Sequence, residues 1–458
     1  MKFIGREKEL KELNNRYNSK NKEFGIIYGR RRIGKSSLIN EFLKDKNAIL
    51  FQAKKDNAFG NLKSFSFAVN NKLNLPKNYI FSSWEEAFDA LKNHEKNHRF
   101  ILAIDEYPYI IEQDSSFSSI IQEFIDNADN NIFLILSGSD ISFLKNEILD
   151  HNSPLYKRRT FQMQINKLSF EEATLFLKDF DIETKCKYLS IFSTYPYYLS
   201  SINHQISFEE NIKYTLFNQF GTFFSLPDQL LSNSTKIQDV YNAILVAITH
   251  KKRSNKEIAD YIHEEEAKVA KYLITLQESE IVSKCETFMG NKKTIYYEIN
   301  DMLLKFWYKF IFPNEDRIKI NSDIVFKELQ EQIKQFISFG FEDVCRLYLN
   351  QKNINGELNT VYPPLKPYKV EKSQLNRSIE IDGLSQINNS LLIIECKFRN
   401  TKFNKIMLEH LIESTSVFPN KLDRYYYIFS KVGFDDDVIK MKSKNINLIT
   451  MEDLFVNN

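Results

Sequence analysis

The sequence predicts an α/β protein with a parallel sheet at its start and a second sheet near its end. Two observations indicate the first sheet: a glycine-rich turn follows the apolar run 24–28, and four further short apolar runs occur before residue 166. A third, an alternating apolar hairpin over residues 378–397, indicates the second sheet. The chain has 458 residues, too many for one hydrophobic core, so we expect about three domains.

The composition indicates a globular chain with little overall charge. Apolar residues make up 43% and aromatic residues 14%, which excludes a disordered or fibrous chain. The net charge of +2 gives no global field that favours nucleic acid or an anionic membrane, although local patches stay open. The four cysteines lie far apart without a Cys-x-x-Cys pair, which argues against a zinc ribbon or a disulfide framework and favours a cytoplasmic location.

No segment predicts membrane insertion or secretion. The longest unbroken apolar run, Ala243–Ile248, is far shorter than the roughly 20 residues of a membrane-spanning helix. The residues that follow Met1 lack the apolar core of a signal peptide. We therefore expect no membrane partner.

A phosphate-binding loop (P-loop) is the most specific motif. Gly29-Arg-Arg-Arg-Ile-Gly34-Lys35-Ser36 fits the pattern G-x-x-x-x-G-K-S/T, and a helical apolar pattern follows over Ser37–Leu43. In this motif backbone N–H groups surround phosphate, the lysine reaches the β- and γ-phosphates, and the hydroxyl binds Mg²⁺. The sequence therefore predicts a site for ATP and Mg²⁺ formed by Gly29, Gly34, Lys35, Ser36 and Ser37.

Two acids end the apolar run Phe100–Ile104, as is typical of a buried parallel strand. A P-loop requires such a carboxylate on a second strand. We expect Asp105 to hold Mg²⁺ through water and Glu106 to polarise the attacking water. The alternative is a strand that merely ends in two solvated acids.

Three more apolar runs complete a predicted five-stranded parallel sheet with helices on both faces: Ala48–Gln52, Ile132–Leu136 and Phe161–Ile165. Nucleotide binds at the carboxyl ends of the strands in such sheets. At one of these ends, hydroxyls of Ser137 and Ser139 could sense the γ-phosphate or orient water. Serines chosen for turn formation are an equal alternative.

Two arginines precede the last of these strands. Arg158 and Arg159 would reach the charge of the transition state, either within the chain or from a neighbouring subunit. The alternative is a pair of solvated surface cations.

These motifs together resemble the archaeal-type ATPase family, which also occurs in bacteria. Phe3–Leu10 resembles the amino-terminal box of AAA-like and STAND-like ATPases, and other family motifs match at 28–37, 104–107, 136–139 and 154–160. The resemblance implies ATP hydrolysis and strengthens the role of the two arginines, although Lys157 stands where the family pattern has glycine. Members often carry a carboxy-terminal "domain of unknown function 234".

Short helices are expected from residue 166 to about residue 232. Ser169 and Glu172 form the pattern of a capping box at the first of them. Thr194–Leu199 resembles the family's lid element, in which Pro196 would start a helix that faces the nucleotide. A plain helix-breaking proline is the alternative.

Residues 237–300 predict a winged helix, in which three helices precede a hairpin with a turn at Gly290-Asn291. DNA binding would use Lys251–Arg253 and Lys292–Lys293 on phosphates. Against this, the helix expected to read DNA begins with the acids Glu264–Glu266. A structural or protein-contacting module is therefore the favoured interpretation.

The aromatic segment Asp301–Pro313 comes next. We expect a helix packed in a core, and a platform for stacking nucleic-acid bases is the alternative.

A hairpin near the end of the chain carries acids and a lysine. Strand alternation places Glu380 and Asp382 on one face of its first strand, and Glu395 and Lys397 on one face of its second. Such a cluster is costly unless a cation is held within it. A solvated Glu/Lys hairpin is the alternative.

Asp382 with Glu395-Cys-Lys397 resembles the core of the PD-(D/E)xK nuclease-like fold, which implies an α/β restriction-endonuclease-like domain. By that resemblance Asp382, Glu395 and the Cys396 carbonyl would bind Mg²⁺. Lys397 would help to activate water, and Glu342 would add an acid from the first helix. A folded relic without activity is the alternative.

We therefore predict a P-loop ATPase coupled to a nuclease-like domain that cleaves or binds DNA or RNA. An ATP-gated interaction protein that docks partners without cleavage is the alternative, and a transcriptional regulator is a third. Self-association or a partner protein is compatible with each. The expected domains are an ATPase core over 1–165, a helical lid over 166–232, a winged helix over 235–315 and the nuclease-like domain over 325–458.

Overall fold

The computed structural model describes residues 3–96, 98–139, 151, 153–231, 235–286, 295–370, 375 and 377–456. The chain divides into two compact units, the first ending at Lys167 and the second starting at Leu168. Within the described residues, no helix has both the length and the apolar character needed to cross a membrane. The predicted turn at Gly290-Asn291 and the lysines 292 and 293 lie outside the described residues.

The described part of the first unit is a five-stranded sheet with helices around it. Its strands are β1 (Glu23–Tyr28), β2 (Ala48–Gln52), β3 (Phe100–Asp105), β4 (Ile132–Gly138) and β5 (Phe161–Gln164). Its helices are α1 (Glu7–Asn18), α2 (Lys35–Leu43), α3 (Ala58–Leu73), α4 (Trp84–His94), α5 (Pro108–Ile111) and α6 (Phe117–Asp126).

All neighbouring strands of this sheet are parallel, in the order β2-β3-β4-β1-β5. The parallel sheet predicted from the apolar runs is therefore confirmed. Every residue of β1, β3 and β4 is buried, as expected of central strands covered by helices on both faces. The order also brings the carboxyl ends of β1, β3 and β4 side by side, and the predicted nucleotide residues follow these ends.

The second unit begins with helices. These are α7 (Phe170–Leu175), α8 (Ile182–Phe192), α9 (Pro196–Leu199), α10 (Phe208–Leu216), α11 (Leu226–Leu230), α12 (Thr235–Thr249), α13 (Asn255–Ile262) and α14 (Glu266–Glu278). An antiparallel pair follows, β6 (Val282–Glu286) and β7 (Ile295–Ile299). Three helices and a strand pair thus occur where a winged helix was expected, and the winged-helix assignment itself stays a prediction.

The aromatic segment after β7 is helical but changes type. It forms α15 (Met302–Phe306), a π-helical turn (Trp307–Ile311) and a 3₁₀ turn (Phe312–Asn314). Trp307 and Tyr308 are buried, and the indole N–H of Trp307 donates to the carbonyl oxygen of Phe224 at 2.8 Å. Trp307 and Tyr308 are therefore packed in the core, as expected, and these two rings are not available to stack on bases.

The rest of the second unit is an α/β domain with a mixed sheet. It contains α16 (Glu315–Ile354, with a break at Asn321), β8 (Lys366–Val370), β9 (Ile379–Ile387), β10 (Ser390–Lys397), α17 (Lys405–Ser414), β11 (Asp423–Ser430), α18 (Asp436–Lys440) and β12 (Ile446–Thr450). The sheet order is β12-β11-β10-β9-β8, with β10, β11 and β12 parallel and the other pairs antiparallel. The predicted hairpin is β9-β10, which turns at Asn388-Asn389.

Helices α16 and α8 approach closely at Gly340. A Cβ atom at this position would lie 2.4 Å from the carbonyl oxygen of Ser190, closer than any real Cβ contact. The backbone oxygen belongs to a regular helix and cannot move without shifting α8. The absence of a side chain at residue 340 therefore sets the distance between these two helices.

Gly340→Ala should destabilise the protein, although alanine has the higher helix propensity. The clash with the Ser190 carbonyl should cost about 1–3 kcal/mol, the usual range for overpacking. The measurement is the midpoint of thermal unfolding, compared with Gln335→Ala at an exposed position of the same helix. An unchanged or higher midpoint for Gly340→Ala would contradict the close approach.

Candidate functional site

The P-loop lies between β1 and the first turn of α2. Gly34 has φ +97°, a left-handed conformation that glycine adopts without strain, and it precedes Lys35 at the helix start. The Lys35 side chain is buried, and its Nζ donates to the carbonyl oxygens of Gly29 (2.9 Å) and Arg30 (3.2 Å). The loop is therefore wrapped around its own lysine at a helix N-terminus, where an anion is favoured.

Asp105, Ser36 and Ser137 meet at the carboxyl edge of the sheet. The Asp105 carboxylate is 2% exposed and accepts from the Ser36 hydroxyl at 2.6 Å and from the Ser137 hydroxyl. Asp105 and Ser137 lie on the neighbouring strands β3 and β4. Ser36 lies on α2, which follows β1 on the other side of β4. A hydroxyl and a carboxylate in contact provide the oxygen ligands that Mg²⁺ prefers, so these residues fit that cation.

Glu106 is the next residue and occupies a sharp turn. Its φ is +54°, and its carbonyl oxygen accepts from the backbone N–H of Tyr109 at 3.0 Å. Its side chain accepts from the N–H (3.3 Å) and the hydroxyl (3.0 Å) of Ser139. Ser139 thus holds the carboxylate that the sequence assigns to water activation.

Lys35 shares its surroundings with charges of both signs. Burial lowers the pKa of Lys35, while the carboxylates of Glu106 and Asp105 act in the opposite direction. Arg31 is also close enough to lower this pKa. The site therefore collects cations and carboxylates at one edge of the sheet, as phosphate and a metal ion would require.

Arg158 and Arg159 precede β5 and lie near the amino ends of the strands, whereas the P-loop lies at the carboxyl ends. Arg158 forms a two-pronged ion pair with Asp126 at the end of α6, with both nitrogen–oxygen distances 2.8 Å. The adjoining Thr160 donates its N–H to Phe24 near the start of β1, whereas the P-loop follows the end of that strand. The role within the chain expected for Arg158 and Arg159 is therefore wrong, because parallel strands keep their two ends apart. Action on a neighbouring subunit stays a prediction.

The second candidate site lies where β9 and β10 separate. Their pairing ends at Gly383 and Ile394. Just beyond, the Asp382 carboxylate accepts the backbone N–H of Cys396 at 2.7 Å, and Lys397 forms an ion pair with Glu395. The residues that the sequence predicted on two strands are thus brought together at one opening of the sheet.

These acids strongly influence one another. Burial, together with the charge of Asp382, raises the pKa of Glu342 to about 8 and that of Glu395 to about 7. Burial also raises the pKa of Asp382, against the opposing charge of Lys397. The cluster holds more negative charge than its surroundings favour, so its donor set fits a divalent cation.

The acids are not arranged as a ligand group. In the described part of the chain, no three His, Cys, Asp or Glu side chains are placed to hold one metal ion. Asp382 and Glu395 are instead engaged by internal donors, as given above. Glu380 was expected beside them, but its carboxylate is at the surface and pairs with Lys369 at 3.0 Å. Burial is the main cause that raises the pKa of Glu342, Asp382 and Glu395, and the negative charge of Glu380 adds to this effect from the surface. Glu380 thus contributes to the electrostatic surroundings of the cluster.

Sequence reasoning missed Arg346. One turn after Glu342 on α16, its guanidinium donates to the carbonyl oxygen of Asp382 (2.5 Å) and to the carboxylate of Asp343 (2.5 Å), and it lies 3.7 Å from Glu342. It thereby ties α16 to β9 and places a fixed cation among the acids. The i, i+4 spacing of Glu342 and Arg346 was the available signal, but on most helices this spacing marks a surface pair.

The sheet order, the P-loop and the acid at the end of β3 define a P-loop ATPase fold. Residues 3–188 match an ATPase domain found predominantly in Archaea, and residues 307–411 match a domain of archaeal and bacterial proteins of unknown function. The chain is thus similar to the archaeal-type ATPase domain over its first part and to domain of unknown function 234 over residues 307–411, and the resemblance seen in the sequence is confirmed.

Relatives and solved structures agree with this assignment. An uncharacterized protein of Methanocaldococcus jannaschii is 28% identical over 440 residues, which is 94% of this chain and 95% of that protein. An uncharacterized ATP-binding protein of the same organism is 43% identical over 44 residues, 10% of this chain and 75% of that protein. The Walker-type ATPase of Pyrococcus abyssi shares the fold, with a TM-score of 0.52 and 19% identity, over 67% of this chain and 96% of that one.

Glu342→Gln should change the pH dependence of stability. With a folded pKa of about 8 against an ordinary 4.5, Glu342 holds a proton that unfolding releases between these pH values. Its contribution to stability is therefore lost as pH rises toward 8, and glutamine avoids this loss. In the presence of a chelator, the midpoint of Glu342→Gln minus that of wild type should rise by about 2–4 °C from pH 5.5 to 8.5.

The control for this measurement is Glu331→Gln, which removes an exposed acid from the same helix. Thermal unfolding monitored at the two pH values gives both differences. A difference for Glu342→Gln that stays constant or falls with pH would show that the carboxyl group of Glu342 is not held in its neutral form.

Proposed function

We propose that the chain binds ATP at the P-loop and hydrolyses it, with Mg²⁺ as its cofactor. The observation that carries this proposal is the meeting of Lys35, Ser36, Asp105 and Glu106 at one edge of the sheet. A merely structural loop has no need to bury a lysine beside two carboxylates. The family of the amino-terminal domain supports the same activity.

Each residue has a definite task in this reaction. The backbone N–H groups of the loop and Lys35 would bind the β- and γ-phosphates. Ser36 and Asp105 would hold Mg²⁺, which when bound supplies positive charge for the phosphate oxygens. Ser139 would orient Glu106, and Glu106 would accept a proton from water. The water oxygen then bonds to the γ-phosphorus as the bond to the β–γ bridging oxygen breaks, leaving ADP and phosphate.

Lys35→Ala and Glu106→Gln should fail at different steps. Lys35→Ala loses the phosphate cation, so ATP binding measured by calorimetry should fall below detection. Glu106→Gln keeps the loop but lacks the base, so ATP should bind while steady-state turnover falls by about 10²–10⁴-fold. Lys44→Ala, which removes an exposed cation at the far end of α2, is the control. Undiminished hydrolysis by Lys35→Ala would refute the proposal.

We further propose that the carboxy-terminal site cleaves phosphodiester bonds of DNA or RNA. The observation in its favour is the convergence of Asp382, Glu395 and Lys397 where β9 and β10 separate, with Glu342 on the helix beside them. Asp382, Glu395 and the Cys396 carbonyl would hold Mg²⁺, which when bound supplies positive charge for the scissile phosphate. Lys397, as a cation, would position the attacking water and stabilise the hydroxide that forms when this water releases a proton to solvent. The hydroxide oxygen would bond to phosphorus as the bond to one ester oxygen breaks, and that leaving oxygen would take a proton from solvent.

Nucleic-acid cleavage should depend on the two residues of this site. Asp382→Ala and Lys397→Ala should each reduce cleavage of DNA or RNA at least about 100-fold, as expected for loss of a metal ligand or of the cation that activates water. Glu331→Ala, which removes an exposed acid from α16, should cleave like wild type. Equal cleavage by all four proteins would assign the activity to a contaminant, and no cleavage by wild type with Mg²⁺ or Mn²⁺ would refute the proposal.

One observation favours a second function, an ATP-gated interaction protein that does not cleave. The oxygens of Asp382 and Glu395 are engaged by a backbone N–H and by Lys397, as in a site that serves structure alone. In that case the carboxy-terminal domain would dock a partner protein or a second copy of the chain. Arg158 and Arg159 would then bind the charge of the transition state at the ATP site of that copy. Failure of cleavage with intact ATP turnover is the result expected for this function.

A further inference from the structure

Arg158 pairs with Asp126 away from the P-loop, so a different residue of the same chain would have to supply the cation for the transition state. During hydrolysis negative charge moves onto the oxygens around the γ-phosphorus and onto the leaving oxygen. A P-loop lysine and a metal ion bind these oxygens from one side. A second cation placed within the chain would remove the need for a neighbouring subunit.

Arg31 is the second variable residue of the P-loop, and its side chain extends from the loop to the segment that follows β3. Its Nη2 donates to the hydroxyl of Tyr109 at 3.0 Å. Tyr109 belongs to the turn that carries Glu106, because its N–H bonds the Glu106 carbonyl oxygen. The guanidinium therefore spans from the phosphate loop to the residues that would orient the attacking water.

The charges around Arg31 point to an anion. Within the described residues no carboxylate forms an ion pair with Arg31, and its recorded partner Tyr109 is neutral. Lys35 lies close enough for Arg31 to affect it. The carboxylates of Glu106 and Asp105 offset the charge of Lys35, but no described carboxylate pairs with Arg31, so its guanidinium still attracts a negative group. A triphosphate bound in the loop would supply that group.

We propose that Arg31 is a catalytic residue of ATP hydrolysis, contributed by the same chain, whose guanidinium binds the γ-phosphate oxygens as charge accumulates on them. The proposal rests on the proposed ATPase function. The planar donors of arginine suit phosphate oxygens, and the bond to Tyr109 fixes the group before the substrate arrives, so little reorganisation is needed in the transition state. No proton leaves Arg31 in this role.

The test compares ground-state and transition-state binding in full-length Arg31→Ala. We expect kcat to fall about 10³-fold while KM for ATP changes less than about threefold, as for loss of an interaction made in the transition state. In Mg²⁺ buffer, affinity for ADP with aluminium fluoride should fall by a similar factor while affinity for ADP alone is kept. Tyr109→Phe should show the same pattern more weakly, and Lys44→Ala should match wild type.

Two results would overturn the inference: a kcat within about threefold of wild type, or equal losses of affinity for ADP and for the fluoride complex. Arg31→Lys, which keeps the charge, provides a second variant should alanine perturb the fold. A wild-type protein that does not turn over ATP would refute the proposed function instead. The comparison of ADP with its fluoride complex would still decide the role of Arg31.

Discussion

The hydrogen bonds of the Asp105 carboxylate join the elements on which the first unit depends. Ser36 from α2 and Ser137 from β4 both donate to it, so the P-loop helix, β3 and β4 are fixed relative to one another at a single buried group. A buried carboxylate without such donors would be costly. The same two donors therefore stabilise the fold and place the oxygens that a metal ion would need, which couples packing to chemistry at this edge.

The sheet order determines which residues can join that edge. Because β1, β3 and β4 are adjacent and parallel, whatever follows their carboxyl ends is gathered within one small region. This explains why local patterns were sufficient to predict the sheet and to nominate Lys35, Asp105 and Ser137. A short apolar run predicts a buried strand, and the polar residues that follow it mark the carboxyl end, where functional side chains lie in such sheets.

Other parts could not be predicted because they depend on contacts between distant segments. Arg158 is close in sequence to a strand, yet the direction of that strand places it away from the P-loop, beside Asp126. Alternation placed Glu380 with Asp382, but the strands separate beyond Gly383, so Asp382 bonds β10 whereas Glu380 lies at the surface and acts through its charge. For Arg346 the sequence misleads in the other direction. Its i, i+4 spacing from Glu342 is typical of a surface pair, but Arg346 is packed against β9.

Both candidate sites contain carboxylates whose negative charge is partly balanced by a cationic side chain of the same chain. In each, carboxylates are removed from water and a positively charged side chain of the same chain lies among them: Lys35 beside Asp105 and Glu106, and Arg346 and Lys397 beside the carboxy-terminal acids. Internal charge of this kind allows the fold to form before any ligand binds. A cation that bound at either site would have to displace or share these contacts, so its affinity would depend on competition with the protein's own side chains as well as on the number of acids.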